Sequence, residues 1–335
     1  TKRLFPNCSP TWTPLPHCYE YQCGKGVTVG EATARAIGQA AAEAGIALSL
    51  HAPYFVNPAN PDPDSQEKTL GHVLKACQAA QWMGADRVVV HTGALQKRTR
   101  EEALATAKAF FQTLRRRCDE GGYGDILLCP ETMGKINQLG DLEEVLAICA
   151  PSEGLLPCVD FGHLYARSLG ALDGAAVEGM LDRMVQVLGE GRARVFHSHF
   201  SKIEYTPRGG EARHLTFDQP YFGPDYHPLC QALARRGWAP RVICESAGTQ
   251  DVDALAMQRA YRQALGALNG KEIPGKGRPE GQSLLQNRTR YCKIENDYGI
   301  KIESIYFCRA GAQAGRPPEM QAAGRSAGRA ILFGG

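Results

Sequence analysis

Six side chains able to hold a metal ion or move a proton recur at a regular interval: His51, His91, Glu131, Asp160, His199 and Glu245, separated by 40, 40, 29, 39 and 46 residues. Each ends a short apolar run that reads as a buried strand. Imidazole with carboxylate is a ligand set suited to zinc, with manganese or iron as substitutes. His163, three residues past Asp160, and His214 enlarge the inventory. So many such groups in one cavity would repel or desolvate one another unless cations compensated them. A zinc ion usually takes four ligands, so two or three ions per chain are implied. A single His at a strand end is more often a hydrogen-bonded core residue than a ligand; six coincident strand ends favour the metal. His197 lies two residues before His199 on the same strand face, so it points inward one layer deeper. His17, His72 and His227 are expected to be structural or exposed.

Convergence of these residues requires an architecture in which all strands point one way. Strands are expected near 19–22, 47–51, 87–91, 126–131, 156–160, 195–199 and 241–245, with amphipathic helices near 30–44, 66–83, 100–120, 141–149, 174–188, 228–236 and 251–267. Gly45, Gly84, Gly121, Gly189 and Gly237 stand where helix C-caps belong. The alternation predicts an α/β fold of the (β/α)8 TIM barrel type, whose residues at successive strand ends meet at the C-terminal mouth. Seven units are visible where eight are needed. The first is missing or irregular, because the stretch 8–16 carries Pro10, Pro14 and Pro16, which cannot donate to a central ladder.

The domain reading is an irregular segment 1–18, a catalytic barrel 19–269, and a low-complexity tail 270–335 expected to be disordered or loosely attached, with only 300–308 strand-like. The tail carries 11 Lys/Arg against 6 Asp/Glu, leaving 27 against 29 for residues 1–269, so global charge gives no argument for nucleic-acid binding. The twelve cysteines are scattered without a CxxC pair, and several lie in apolar runs, which points to buried reduced thiols. The longest aliphatic runs are a few residues, against ~20 for a membrane span. Residues 1–8 are followed by prolines and not by an apolar signal region. A cytoplasmic monomer that does not engage membranes is expected.

The ordered motifs Leu50-His51-Ala52-Pro53-Tyr54-Phe55, Val90-His91-Thr92-Gly93, Pro130-Glu131-Thr132, Val159-Asp160-Phe161-Gly162-His163, His199-Phe200-Ser201-Lys202, Arg213-His214-Leu215 and Cys244-Glu245-Ser246 resemble the endonuclease IV family of apurinic/apyrimidinic endonucleases, within the xylose-isomerase-like TIM barrels, over about residues 19–267. The resemblance implies a trinuclear zinc site, with manganese as a substitute. His51 and His91 would hold one ion. Glu131 would bridge it to a second, held also by Asp160, His199 and Glu245, and His163 and His214 would hold the third. The family places an Asp two residues before the equivalent of His214; here Ala212 stands there, with Glu211 a candidate replacement. The implied activity is metal-assisted incision of duplex DNA 5′ to abasic sites, in base excision repair, with Glu131 central to catalysis. Tyr54 and Phe55 match positions that wedge into DNA at the lesion, and Lys25 and Lys202 are candidates for phosphate contacts. The rival reading is a sugar isomerase or epimerase of the same superfamily, which would rely mainly on carboxylates and leave His163 and His214 without a task.

Overall fold

The computed structural model describes residues 18–268 and, for the backbone alone, 305–307. Strands and helices alternate as β1 (Cys18–Gln22), α1 (Glu31–Ala44), β2 (Ala47–His51), α2 (Pro63–Met83), β3 (Arg87–His91), α3 (Arg100–Glu120), β4 (Leu127–Glu131), α4 (Leu142–Cys149), β5 (Cys158–Asp160), α5 (Phe161–Arg167), α6 (Gly174–Leu188), α7 (Glu190–Ala193) and β6 (His197–Phe200). A hairpin of β7 (Lys202–Thr206) and β8 (Gly210–Leu215) follows, then α8 (His227–Arg236), β9 (Arg241–Cys244), α9 (Gln250–Leu268) and β10 (Ile305–Phe307). The sheet runs β1-β2-β3-β4-β5-β6-β9-β10. All pairings from β1 to β9 are parallel, and β10 joins β9 antiparallel, Tyr306 opposite Ile243. The result is a nearly closed parallel barrel of seven strands wrapped by helices, a TIM-barrel architecture.

Helix ends follow local chemistry. Asp62 caps α2 by accepting from Ser65 N–H ahead of Pro63, and Thr99 with Glu102 forms a capping box at α3. Gly45, Gly84 and Gly237 close α1, α2 and α8 in the left-handed conformation that side chains resist. Strand parity then separates two cores. Leu48, Leu50, Val88, Val90, Leu128, Val159 and Val242 face outward and pack on the helices beside Phe110, Phe111 and Leu114 of α3. Val89, Cys129 and Cys158 face inward and form the small apolar plug of the barrel. Each fully buried Val, Leu or Phe contributes about 1.5–3 kcal/mol, so the outer layer supplies most of the stability. His51, His91, Glu131, Asp160 and His199 share the parity of the inward residues, which sends them to the barrel's interior.

The antiparallel β10 lies beside both β9 and β1, and the expectation of a missing or irregular first βα unit falls on residues 1–17, outside the described residues. The expectations for 269–304 and 308–335, and that for His17, likewise lie outside the described residues. The strand ends differ in detail from expectation. His199 is followed by Phe200 within β6, and Glu245 lies one residue beyond β9. The nine described cysteines are free and buried. Among the described residues, no helix is long and apolar enough to cross a membrane.

Candidate metal centre at the barrel mouth

Three of the four donor groups among the described residues adjoin a cavity of about 310 Å³ at the C-terminal ends of the strands, and the fourth, Cys158, His197 and His199, is fully buried. His51, His91 and Glu131 form the first; Glu131, Asp160, His199 and Glu245 the second; His163, Glu211 and His214 the third. Within each group the nearest donor atoms lie within 4.8 Å of one another, and Glu131 belongs to two. Its Oε2 is 3.1 Å from His51 Nε2 and 3.3 Å from His91 Nε2, while Oε1 is 2.9 Å from His199 Nδ1.

The imidazoles are oriented from behind. His51 Nδ1 is 2.7 Å from the Ala52 carbonyl, His91 Nδ1 3.0 Å from that of Tyr54, and His163 Nδ1 2.8 Å from that of Thr132. A carbonyl only accepts, so Nδ1 carries the proton in these three rings, and the bare Nε2 of the neutral form is left for another partner. Asp160 ends β5 and caps α5: its Oδ1 accepts from His163 N–H at 2.7 Å, which fixes His163 beside it.

The third group depends on an irregularity. In the β7–β8 hairpin Glu204 pairs with Arg213, but Tyr205 pairs with Glu211, so Ala212 is skipped in a β-bulge. A bulge shifts strand parity by one. Ala212 therefore turns outward and Glu211 inward, its Oε2 3.6 Å from His163 Nε2. Gly134 permits the approach, since a Cβ there would stand 2.7 Å from the Glu211 Cβ.

Carboxylates and imidazoles in the cavity shift one another's ionisation strongly. Burial would raise Glu131, yet His199 and His51 hold it well below the usual carboxylate range. Burial would lower His51 and His163, but Glu131 pushes His51, and Asp160 with Glu211 pushes His163, up to about 9. His91 is drawn down to about 4 by burial and by neighbouring imidazoles, against Glu131. Burial together with Glu131 and Asp160 raises Glu245. Asp160 Oδ2 is buried without a hydrogen-bond partner, 3.3 Å from His163 Nδ1. An orphaned carboxylate oxygen, ionised carboxylates and Nε2 atoms directed inward are what divalent cations require, and the donors fit such ions.

Residues 16–270 match the xylose isomerase-like TIM barrel family. An uncharacterized protein of Methanocaldococcus jannaschii is 31% identical over 245 residues, spanning 73% of this chain and 86% of its own length. The chain belongs to the xylose isomerase-like TIM barrel family. A protein of Nitratidesulfovibrio vulgaris named probable endonuclease 4 is 25% identical over 189 residues, which cover 55% of this chain and 66% of that one. The crystal structure of a D-tagatose 3-epimerase-like protein matches with a TM-score of 0.58 at 18% identity, covering 76% of this chain and 90% of that one, and shares the fold.

In this member of the family the other site candidates divide. Tyr54 and Phe55 are 53% and 46% exposed, their rings 6.1 Å apart; Tyr54 lines the cavity, and Phe55 leans edge-on against His72 at 4.9 Å. Lys25 is exposed beside Gly24, which lines the cavity. Lys202 is not brought to the cavity; its amino group donates to the Gln219 carbonyl. His227 is exposed and sits 2.7 Å from Asp225. His197 lies fully buried in the deeper layer, where burial drives it down to about 3 against Glu20. Sequence reasoning missed Lys135, which lines the cavity, and Glu20, a fully buried carboxylate beneath it. A lone lysine in a loop gives no signal. Glu20 could have been flagged only as an acidic residue inside a strand otherwise fit for burial.

Proposed function

We propose that the chain is a zinc-dependent phosphodiester hydrolase of the endonuclease IV type, which incises duplex DNA 5′ to abasic sites in base excision repair. The observation that carries the reading is the His163–Glu211–His214 group standing next to the other two. Nine donors in three sets exceed what a sugar isomerase site built mainly on carboxylates would use, and relatives named probable endonuclease 4 support the same reading.

Bound zinc-class ions, with manganese as a substitute, would supply Lewis acidity sufficient to activate water near neutral pH and to offset charge on a phosphodiester. The chain's own residues do the rest. Glu131 holds one carboxylate between two donor sets, where it can align a nucleophile with the phosphorus. His163, Glu211 and His214 would hold a further ion, whose charge would offset that of the departing 3′ oxygen. The cavity of about 310 Å³ accepts one extruded sugar phosphate, and the exposed ring of Tyr54 at its edge fills the space of the absent base. Phe55 extends that aromatic edge, and Lys25 reaches a flanking phosphate. Lys202 serves only if DNA releases it from Gln219.

The test is incision of a duplex bearing one tetrahydrofuran abasic analogue, with protein stripped of metal, reloaded with zinc, and left in chelator. Zinc-restored cleavage on the 5′ side is expected. Zinc-loaded protein that leaves the duplex intact would overturn the reading, and interconversion of a free ketose by the same preparation would put an epimerase in its place.

A further inference from the structure

Among the imidazoles at the mouth, His199 is turned the opposite way. His51, His91 and His163 tie Nδ1 to a carbonyl oxygen, and His214 Nδ1 lies 2.9 Å from the Ser201 hydroxyl. His199 instead directs Nδ1 at the donors, 2.9 Å from Glu131, 3.5 Å from Glu245 and 4.0 Å from Asp160. Its Nε2 points down the barrel to Glu20 Oε1, at 2.9 Å.

Glu20 is built in from every side. It stands on β1, fully buried, directly across from Ser49 of β2, whose hydroxyl donates to Oε2 at 2.9 Å. His197 Nε2 is 3.0 Å from the same oxygen, and the Gln22 amide donates to Oε1 at 3.4 Å. An ionised carboxylate has no proton to give, so the proton between Glu20 and His199 belongs to His199 Nε2. Glu131 stands equally close to Nδ1, so the neutral ring can serve only one of the two carboxylates, and a cation among Glu131, Asp160 and Glu245 would make Nδ1 the bare nitrogen. A carboxylate buried this deep is costly unless positive charge answers it. Through the His199 ring, the charge of Glu20 can be answered by a cation among Glu131, Asp160 and Glu245.

We propose that Glu20 is a positioning residue that locks His199 in the Nδ1-bare tautomer, turned toward Glu131, Asp160 and Glu245, and thereby sets the affinity of that group for a divalent cation. The proposal rests on the metal reading of the site and is independent of the substrate. A carboxylate behind a ligating imidazole fixes its tautomer and raises its basicity, and loss of such a partner typically lowers metal affinity by about 10–100-fold. A purely structural Glu20 would act on the fold and leave both properties unchanged.

The experiment uses the full chain, wild type and Glu20→Gln, with three readouts. Zinc affinity is measured by competition with a chromophoric chelator, the His199 tautomer by imidazole 15N shifts of the zinc-loaded protein, and the melting temperature in chelator. The expected result is about a 10–100-fold loss of affinity at one class of site, unchanged binding at the His163–Glu211–His214 group, a His199 spectrum that is no longer a single tautomer, and no fall in the zinc-free melting temperature. Ser49→Ala, which removes one support of Glu20 and no charge, should move affinity the same way by less, and it carries the test if Glu20→Gln does not fold. Affinity within twofold of wild type with the His199 shifts unchanged overturns the proposal, as does a variant altered only in its zinc-free melting temperature. Wild type that takes up no zinc overturns the metal reading and the role of Glu20 together. Zinc effects as expected in a protein that cleaves no abasic duplex would remove the nuclease assignment and leave Glu20 in place.

Discussion

Replacing Glu131 by Gln tests the centre at the point where two donor groups share one side chain. The carboxylate lies within 3.3 Å of His51, His91 and His199, so both oxygens are engaged. The amide keeps the shape, but one oxygen becomes a donor nitrogen facing imidazoles and no longer able to meet a cation. Of the two groups that share Glu131, one loses a ligand and the other exchanges a charged oxygen for a neutral one, while the His163–Glu211–His214 group loses none. If each ion is held at ~100 times its dissociation constant it stabilises the native state by about 2.7 kcal/mol, so two ions are worth about 5 kcal/mol. In a domain of ~250 residues, 1 kcal/mol moves Tm by about 2–4 °C. The fall in Tm on adding chelator should therefore be smaller in Glu131→Gln than in wild type by roughly 10–20 °C. Bound zinc by elemental analysis should drop from three ions to one. Taking the difference between loaded and chelated protein cancels the effect of the substitution on the metal-free fold. Wild-type zinc content in the variant, or equal chelator shifts in the two proteins, would refute the bridging geometry.

Gly134→Ala should displace Glu211 and cost the third ion alone, read as a loss of one zinc per chain with incision reduced and the other ions retained. Tyr54→Ala should weaken binding to an abasic duplex by about 1–3 kcal/mol, the range for base–aromatic stacking, with little change for intact duplex at the same salt concentration; equal losses on both would make Tyr54 a general backbone contact. Glu144 accepts from Arg100 at 2.6 and 2.7 Å and from the Gly140 and Asp141 N–H groups, and although burial opposes it, these partners hold its carboxyl below the usual range. Its folded-state pKa is depressed, so its contribution is complete above the unfolded-state pKa of about 4.3 and is lost as pH falls through the folded value; Glu144→Gln should lower Tm at pH 7 while flattening the acid limb of a Tm-against-pH curve, and parallel curves would contradict this.

What could be read from the chain and what could not follows from how each residue reaches the cavity. His51, His91, Glu131 and Asp160 close short strands at intervals of one βα unit, and strands of one direction bring their ends to one mouth, so spacing alone collects them. Strand parity, visible in the alternation of Val88, Val89 and Val90, sends them inward. Glu211 is different in kind. Regular alternation from His214 would put Ala212 in the cavity and Glu211 outside it. Only the bulge opposite Glu204 and Tyr205 exchanges them, and a bulge is a property of the pairing, not of either strand. Glu20 escapes for another reason: in Cys18-Tyr19-Glu20-Tyr21-Gln22 a lone acid reads as the solvent side of an alternating strand, and its partner His199 lies 179 residues away. Likewise, the place beside β9 is taken by β10, a segment of the tail. Local pattern thus locates the groups that one strand delivers to the mouth. Glu20 and Glu211 reach their places through a long-range contact and a bulge in a strand pairing, which no single strand records.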